Sequence, residues 1–362
     1  MKPIKRIERY GKRFIRSVLG SFLKPVPLER IDIQAETIKR ILVVRQDSRL
    51  GNLVLMSPFL SAIKAAMPNA ELDVLISEGF EEVLTGNPNV DNVILFEKKR
   101  ARLMPWSYLF LIKDLRKNEY DMAIDVSDGY HFSLNNILLT AFSGAHYMLG
   151  YDRGDARSFL NMLVPLPAKN THMSDAILGL AEKISPIVGE FPMTYYLSDE
   201  GRAFADKWLI DKNIHEIDSF FVIHPGGKGR KKWEAKNFAA LIDKINDTVG
   251  VKIVVLGGKA EEETINVIKK HAKTQFDILN NVSVSEMAAV IERCDMFISG
   301  DTGPMHVSAA LGRPTVALFI SSNYCVYGPR GINSRVVAGK GGDFSFDDIM
   351  LAIMDLYGIG PG

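Results

Sequence analysis

Residues 298–312, ISGDTGPMHVSAALG, decide the fold. They begin inside a short apolar run of the kind that forms a buried strand, and two glycines then bracket Asp301 and Thr302 in a pattern that suits a tight turn. Thr302 fits the N-cap position and Pro304 fits the first turn of a helix. The stretch therefore predicts a strand end, a glycine turn and a helix start in direct succession.

Such a helix start is suited to binding an anion. Its first N–H groups lack intrahelical partners, and the partial positive charge there favours phosphate. Gly303 would let a ligand approach the backbone closely, and His306, one turn further on, offers another donor. The same residues also fit an ordinary strand-to-helix turn with a solvated Asp and a surface His. The motif alone favours this second interpretation.

Length and composition bound the class of protein. At 362 residues with 47% hydrophobic residues, the chain favours two ordinary globular domains over one. The two cysteines, Cys294 and Cys325, form no CxxC or Cys/His pattern, which argues against a disulfide framework and a zinc site. A reducing compartment is therefore expected.

The charge is concentrated at the N-terminus. Residues 1–24 hold eight Lys or Arg and one Glu, a net charge of +7, while the whole chain carries +1, so the remainder carries −6. This imbalance argues against a nucleic-acid partner. Apolar residues recur there at helical spacing, which predicts a basic amphipathic helix on an anionic membrane surface. The alternative is a helix that packs on its own domain. No apolar run is long enough to span a bilayer.

Two α/β series follow one another along the chain. The first begins with a buried strand at 39–45 and a glycine turn, and the second begins with a strand at 220–224. We predict an α/β protein with two Rossmann-like domains facing each other across a cleft, with ligands at the carboxyl ends of the strands. The predicted organisation is a basic helix and linker, two domains, and a C-terminal helix and tail, at 1–34, 35–190, 191–343 and 344–362.

Two common nucleotide-binding motifs are absent from the sequence. Neither half contains the G-x-G-x-x-G dinucleotide fingerprint, and no G-x-x-x-x-G-K-[ST] loop occurs. The sequence therefore disfavours an NAD enzyme and a P-loop kinase.

Several motifs together resemble one enzyme family. HPGG and KKW within 224–233, LGG at 256–258 and SGDTGPMHVSAAL at 299–311 resemble the carboxyl domain of the family-9 glycosyltransferases, the heptosyltransferases of lipopolysaccharide core assembly. ILVVRQDSRLGNLVLMSPFLSAIK at 41–64 looks like that family's first strand, turn and helix. The resemblance covers roughly residues 40–331.

The resemblance implies a GT-B fold and an inverting transfer of a sugar, heptose from ADP-heptose, to a lipid-linked envelope saccharide such as lipopolysaccharide core. The nucleotide-diphospho-sugar would be a co-substrate, and no other cofactor and no metal are implied. The enzyme would be cytoplasmic and peripheral on the inner face of the cytoplasmic membrane, held there through residues 1–24.

The resemblance also implies roles for particular residues. In the family, the Asp-Thr-Gly turn and the His beyond it contact the sugar diphosphate, and these positions are Asp301, Thr302, Gly303 and His306. Lys231 matches a lysine two places before Trp. Its amine would neutralise the negative charge that develops on the departing diphosphate. A preorganised cation lowers the barrier to reaction most effectively when it lies where that charge develops.

Four further positions are implied around the nucleotide. Gly226 and Gly227 lie in the loop beside Lys231, Glu261 (or Glu263) would accept from ribose hydroxyls, and Val282 lies where the family's backbone meets the base. The alternatives are that the two glutamates only stabilise a helix N-terminus and that Val282 only packs.

One position departs from the family. The proposed general base is an Asp directly after the glycine of the first turn, and this chain has Asn52 there, which cannot take a proton at neutral pH. Asp47 in the same loop, flanked by Arg45 and Arg49, is one substitute, although an Asp before a helix is more often a cap. Alternatively, Asn52 only orients the acceptor, or the protein transfers poorly or not at all.

Two other functions compete with transfer. The first is a catalytically impaired homologue that binds nucleotide sugar or lipid glycan without turnover, for which Asn52 is the motive. The second is a sugar-nucleotide epimerase of similar fold, which is a distant alternative because no pair of catalytic carboxylates is evident in the sequence.

Overall fold

The chain forms two compact units in the computed structural model, which describes residues 25–29, 33, 35–104, 106–127, 129–130, 132–215, 217–227, 229–339 and 343–358. Unit 1 comprises Met1–Ser48 and Met56–Phe191, and unit 2 comprises Arg49–Leu55 and Pro192–Gly362. The short segment after the first strand therefore groups with unit 2. The predicted basic helix at residues 1–24 lies outside the described residues.

Each unit is built on its own parallel sheet. The strands of unit 1 are β1 (Arg40–Arg45), β2 (Glu71–Ser77), β3 (Asn92–Phe96), β4 (Met122–Asp125), β5 (Tyr147–Tyr151) and β6 (Met162–Val164). Those of unit 2 are β7 (Phe220–His224), β8 (Lys252–Gly257), β9 (Asp277–Asn280), β10 (Met296–Gly300), β11 (Thr315–Phe319) and β12 (Ser334–Ala338). The central strands are continuous apolar runs because helices cover both faces of such a sheet.

Helices connect the strands. In chain order they are α1 (Leu50–Val54), α2 (Ser57–Ala66), α3 (Lys98–Leu103), α4 (Ser107–Lys117), α5 (Leu134–Phe142), α6 (Met173–Glu182), α7 (Asp199–Asp211), α8 (Ala235–Val249), α9 (Glu262–His271), α10 (Val284–Arg293), α11 (Gly303–Ala310), α12 (Tyr324–Tyr327) and α13 (Phe346–Tyr357). No helix in the described part of the chain is long and apolar enough to cross a lipid bilayer.

The two sheets have the same strand order. Sheet 1 runs β3-β2-β1-β4-β5-β6, and sheet 2 runs β9-β8-β7-β10-β11-β12 when read in the same sense. This is the Rossmann order, in which the chain reverses direction across the sheet after its third strand. The predicted α/β class with two similar halves is confirmed. The reversal places β1 beside β4 and β7 beside β10, with registers such as Val43 to Ile124 and Phe297 to Val222.

Some elements differ from the sequence predictions. The single helix implied after the first strand and turn of residues 41–64 is broken between α1 and α2, because Pro58 lies in the first turn of α2, where its missing donor and fixed φ suit a new start. Helix α7 and strand β12 were not predicted. Helix α13 lies within the segment predicted as a C-terminal helix and tail, and it packs into the core of unit 2 through Ile349 and Ile353.

Candidate active site

Two loops meet where the strand order of unit 2 reverses. β7 ends at His224 and β10 ends at Gly300, and these neighbouring strands lead into the loops that carry the HPGG and DTG motifs. In open α/β sheets, ligands bind in the crevice at this point, outside the carboxyl ends of the strands. The fold therefore brings together the two motifs that the sequence singled out.

Glycines allow the two loops to touch. A Cβ on Gly226 would lie 2.2 Å from Nε2 of His224 and 2.9 Å from Cγ2 of Thr302. A Cβ on Gly300 would lie 2.5 Å from the carbonyl oxygen of Gly226. Real Cβ atoms do not approach other atoms this closely, so a side chain at either position would push the loops apart. Gly227 has φ +151°, a conformation that L-residues rarely adopt.

Lys231 reaches this crevice and pairs with Asp301. Its Nζ donates to Oδ2 of Asp301, which also accepts a hydrogen bond from the hydroxyl of Ser322. The Asp301 side chain is 9% exposed and that of Lys231 is 40% exposed, so the cation is the accessible member of the pair. The ring of Tyr327 has its centroid 5.9 Å from the same Nζ, at the outer limit of a cation–π contact.

Trp233 anchors the loop that carries Lys231. The indole is buried in the core of unit 2 and contacts the ring of Phe238 edge-on, with centroids 4.9 Å apart. Phe344 and Phe346 pack against it at 5.7 and 5.6 Å. Because the aromatic side chain is fixed two residues away, the backbone at Lys231 is held in position while its amine remains accessible.

The start of α11 has the geometry expected of an anion-binding helix N-terminus. Thr302 occupies the N-cap position with φ −144° and ψ 167°, and Pro304 lies in the first turn, as predicted. The Thr302 hydroxyl does not cap the helix. It donates to the carbonyl of Gly300 at 3.3 Å and lies 2.9 Å from the Ser299 hydroxyl. The first N–H groups of α11 are thus not capped by that side chain.

Helix α1 packs closely on α11. A Cβ on Gly51 would lie 2.5 Å from Cδ2 of His306, and a Cβ on Gly303 would lie 2.8 Å from Cβ of Leu50. His306 is only 4% exposed, so its ring occupies the space that a side chain at Gly51 would need. Asn52, the next residue, is 7% exposed, and its backbone N–H donates to the carbonyl of Arg49 at 3.1 Å. His306 is therefore a buried residue and not the surface residue considered above.

We expect Gly51→Ala to destabilise unit 2 by about 1–3 kcal/mol, the usual effect of overpacking a tight contact. The added methyl group can be accommodated only if the imidazole of His306 or helix α1 moves. The free energy of unfolding in denaturant measures the effect.

Gly179→Ala is the matched control for this prediction. A Cβ at Gly179, inside α6, would meet no heavy atom within 4 Å. Alanine there should raise the free energy of unfolding by up to about 1 kcal/mol, since glycine is the poorer helix former. Equal effects of the two substitutions would contradict the packing of Gly51 on His306.

His224 is held neutral by its surroundings. Burial lowers the pKa of its imidazole, and the hydrogen bond to the carbonyl of Leu256 and the charge of Glu261 offset this only in part. Nδ1 lies 3.0 Å from that carbonyl oxygen and must donate to it, because a carbonyl only accepts. In the neutral ring, the lone pair is therefore on Nε2, the atom facing Gly226.

The lowered pKa of His224 predicts a loss of stability in acid. The unfolded imidazole, with an ordinary pKa of 6.5, takes up a proton as the pH falls through that value, whereas the folded one takes it up only at a lower pH. The contribution of His224 to the free energy of unfolding is therefore complete above pH 6.5 and decreases below it, by up to about 1.4 kcal/mol per pH unit.

Denaturant unfolding at pH 7.5 and 5.5 measures this slope. It should be smaller in His224→Gln and unchanged in His215→Gln, an exposed control. Equal slopes in all three proteins would contradict the assignment.

Glu261 and Val282 lie at the other strand ends of unit 2. Glu261 is at the N-cap of α9, and its carboxylate accepts from the backbone N–H of Gly258 at 3.0 Å. Val282 is half-buried in the loop between β9 and α10. Both follow strands on the β8 side of the sheet, and their roles toward a nucleotide stay predictions.

Asp47 lies in unit 1, beyond the end of β1. Its Oδ2 accepts from Nε of Arg45 at 3.1 Å, and the Arg45 side chain is completely buried, while that of Asp47 is 31% exposed. Nη1 of Arg45 donates to the carbonyl of Val126, just beyond β4. Asp47 thus lies at the point where the strand order of unit 1 reverses, the counterpart of the crevice in unit 2.

Two contributors to the crevice of unit 2 were not predicted. Ser322 follows β11, and Tyr327 lies in α12, directly after it. The strand order could have indicated them, since a Rossmann sheet places the strand after the DTG helix beside the DTG strand. Within the described ranges, no group of three or more His, Cys, Asp or Glu side chains could hold a metal ion.

Comparison with known proteins shows the family. The model of glycosyltransferase family 9 (heptosyltransferase) matches residues 108–343, more than half of the chain. The chain belongs to glycosyltransferase family 9 and is a glycosyltransferase of the heptosyltransferase type.

Curated relatives share about a quarter of their residues with the chain. Lipopolysaccharide heptosyltransferase 3 of Escherichia coli is 25% identical over 291 residues, covering 77% of this chain and 83% of the relative. Lipopolysaccharide heptosyltransferase 1 of Salmonella typhimurium is 25% identical over 312 residues, covering 81% and 92%.

Solved structures share the fold. A family 9 glycosyl transferase from Veillonella parvula superposes with a TM-score of 0.80 at 23% identity, covering 89% of this chain and 98% of the other. The Escherichia coli heptosyltransferase WaaC, solved with ADP, has a TM-score of 0.69 at 22% identity, covering 88% and 99%. At these identities the likeness concerns the fold.

Proposed function

We propose that the protein is an inverting heptosyltransferase that moves heptose from ADP-heptose to a lipid-linked envelope saccharide such as lipopolysaccharide core. Family membership supports the reaction type, and the names of the curated relatives support the sugar and the acceptor class. The observation that carries the proposal is the crevice of unit 2, where the accessible amine of Lys231 and the start of α11 lie at the strand-order reversal.

The diphosphate would lie between Lys231 and the first turn of α11. A departing nucleoside diphosphate gains negative charge, and a fixed amine and helix-end N–H groups stabilise that charge where it develops. Thr302, Gly303 and His306 would line the helix side, and Gly226 and Gly227 would let the ligand approach the opposite loop. The carboxylate of Asp301 would be repelled by phosphate, so its role would be to hold the amine of Lys231 in place rather than to contact the phosphate itself.

The nucleoside would extend toward β8 and β9. In the proposed arrangement the carboxylate of Glu261 accepts from the ribose hydroxyls, and the loop containing Val282 packs on the base. Unit 1 would present the acceptor, which is the role that the family resemblance implies for the first domain.

Asp47 is our candidate for the general base. A base must accept the proton of the attacking hydroxyl, and a carboxylate can do so whereas the amide of Asn52 cannot. Asp47 keeps one third of its side chain exposed and is oriented by the buried guanidinium of Arg45. These two features support Asp47 as the base. The family's proposed base lies in the turn after the first strand, which supports a base in this part of the sequence.

The acceptor class suggests where the protein works. A lipid-linked saccharide requires an enzyme at the membrane surface, and we place this one on the inner face of the cytoplasmic membrane. The charge of +7 over residues 1–24 supports contact of that segment with anionic lipid. Unchanged partition onto anionic liposomes after truncation of these residues would contradict that role.

Asn52 supports one alternative function. A homologue that binds nucleotide sugar or lipid glycan without turnover would retain the crevice of unit 2 and lack the base. Transfer that appears only in Asn52→Asp would support this alternative, and robust transfer by the wild-type protein would exclude it.

The binding of nucleotide sugars tests the proposed donor. Calorimetric titration with ADP-heptose, UDP-sugars and GDP-sugars should give saturable binding with ADP-heptose tightest, and weaker binding of ADP-heptose to Lys231→Ala. Absence of saturable binding with every nucleotide sugar would contradict the proposed function.

A further inference from the structure

Unit 1 carries a cluster of exposed apolar side chains on and before helix α4. Their exposed fractions lie between 46% and 79%, and five of the fourteen large apolar residues that are exposed in the described part of the chain fall within eight consecutive positions. We call this cluster the apolar ridge; its members are Leu103, Met104, Trp106, Leu109 and Phe110. Scattered apolar residues on a surface are ordinary, but a contiguous patch of this kind indicates a binding surface.

The ridge is not the core-facing side of α4. That side is formed by Leu115, which is buried, and by Tyr108 and Leu111, which pack against the same core cluster. Tyr108 also donates to the carbonyl of Asn135 at 3.0 Å. A helix that packs on a core normally shows polar residues on its outer face. Leu109 and Phe110 occupy that outer face instead, at 66% and 61% exposure.

Basic residues surround the ridge. Residues 98–117 contain seven Lys or Arg and one Asp, a net charge of +6, in a chain whose total charge is +1. Lys99 and Lys113 are exposed and form no ion pair or hydrogen bond with any described residue. Lys113 follows Phe110 by three positions, so it lies on the same outer face of α4.

Aromatic and aliphatic side chains bordered by cations match the chemistry of an anionic bilayer surface. Trp is favoured at the boundary between headgroups and acyl chains, where its apolar ring is buried and its N–H stays hydrated. Basic residues near an anionic bilayer are each attracted by about 1 kcal/mol. We propose that the apolar ridge and its flanking cations dock unit 1 on an anionic lipid bilayer.

The location of the ridge fits an enzyme with a membrane-embedded acceptor. A groove of about 990 Å³ is lined by Ser48, which follows Asp47 directly, and also by Leu103 and Met104 of the ridge. Lys98, at the start of α3, donates to the Ser48 hydroxyl at 2.7 Å. Helix α3, which ends at Leu103 of the ridge, is therefore hydrogen-bonded to the loop that contains Asp47. The docking itself stands on the surface of unit 1 alone; only the identity of the lipid-linked acceptor rests on the proposed function.

Fluorescence quenching of the full-length protein tests the docking. Vesicles of phosphatidylcholine and phosphatidylglycerol that carry a shallow nitroxide lipid should quench the tryptophan fluorescence, and most of that quenching should be lost in Trp106→Phe. The other tryptophans, Trp208 and Trp233, lie in unit 2 and are present in both proteins. Binding through residues 1–24 alone would leave the two proteins equally quenched, which would overturn the proposal.

Vesicle sedimentation gives an independent measure. The double variant Leu109→Ser, Phe110→Ser should partition onto anionic vesicles about tenfold or more weakly than wild type, since two large apolar side chains no longer insert. The control Ile210→Ser, Ile217→Ser changes two exposed apolar residues of unit 2 and should partition like wild type. Equal partition of the two double variants would overturn the proposal.

Two more measurements distinguish lipid docking from self-association and from donor binding. If sedimentation velocity shows a wild-type dimer that the Leu109→Ser, Phe110→Ser variant loses without any change in vesicle binding, the ridge is an interface between copies and the proposal is wrong. Titration with ADP-heptose reports on unit 2 and should be unaffected by that variant. If the wild-type protein does not bind ADP-heptose, the proposed function is contradicted, but the test of vesicle docking is unaffected.

Discussion

Lys231→Ala is expected to lower the turnover for sugar transfer by on the order of 10²-fold or more, the usual effect of removing one preorganised group that stabilises developing charge. Lys231 is the accessible cation of the crevice, held by Asp301 and by a loop that Trp233 anchors in the core. The loss should appear mainly in kcat, because the charge on the leaving diphosphate is greatest in the transition state. Steady-state release of ADP measures it.

Lys232→Ala is the matched control for Lys231→Ala. Lys232 is the adjacent residue, carries the same charge and is exposed. Its removal should leave kcat within about twofold, as expected for a solvent-exposed charge whose interactions are weak. Lys231→Arg should retain part of the activity, since it keeps the cation but changes its geometry. Equal kcat values for Lys231→Ala and Lys232→Ala would remove Lys231 from the proposed mechanism.

Asp47→Asn is expected to lower transfer by about 10²–10⁴-fold, the usual contribution of general base catalysis. The amide keeps an oxygen that can accept from Nε of the buried Arg45, so the loop should retain its conformation. Donor binding should be unchanged, because the donor crevice belongs to unit 2 and Asp47 to unit 1. Transfer and calorimetric titration with ADP-heptose, measured on the same preparation, test both statements.

Asn52→Asp separates Asp47 from the family's own position for the base. If Asp47 is the base, Asn52→Asp alone should change the rate of transfer little, and the double variant Asp47→Asn, Asn52→Asp should be as slow as Asp47→Asn. Normal turnover in Asp47→Asn would remove Asp47 as the base. A large gain of activity in Asn52→Asp would assign the role to position 52 and identify the natural protein as impaired.

The elements of the donor crevice were largely predictable from the sequence. The strand, the glycine turn and the helix from residue 298 to 312 follow from local rules, and Pro304 lies in the first turn as expected. The predicted side-chain cap by Thr302 is absent. Its hydroxyl instead donates to the carbonyl of Gly300 and is hydrogen-bonded to the hydroxyl of Ser299. Hydroxyl side chains near turns commonly form such local hydrogen bonds.

Contacts between distant residues were beyond the reach of local patterns. Asp301 pairs with a lysine 70 positions earlier and accepts from Ser322, 21 positions later. Periodicity gives neither pairing, since both depend on which strands become neighbours. The strand order supplies that information. Likewise, the tight contact of Gly51 with His306 depends on α1 joining unit 2, which the division of the sequence into two successive domains did not anticipate.

Product analysis tests the central claim most directly. The wild-type protein is incubated with ADP-heptose and a purified lipid-linked core saccharide, and the products are identified by mass spectrometry and by ADP release. We predict that the acceptor gains one heptose for each ADP released, and that Lys231→Ala forms this product far more slowly than Lys232→Ala. The proposed function would be contradicted if no heptosylated product forms, whether the protein transfers a sugar from a different nucleotide sugar or transfers no sugar at all.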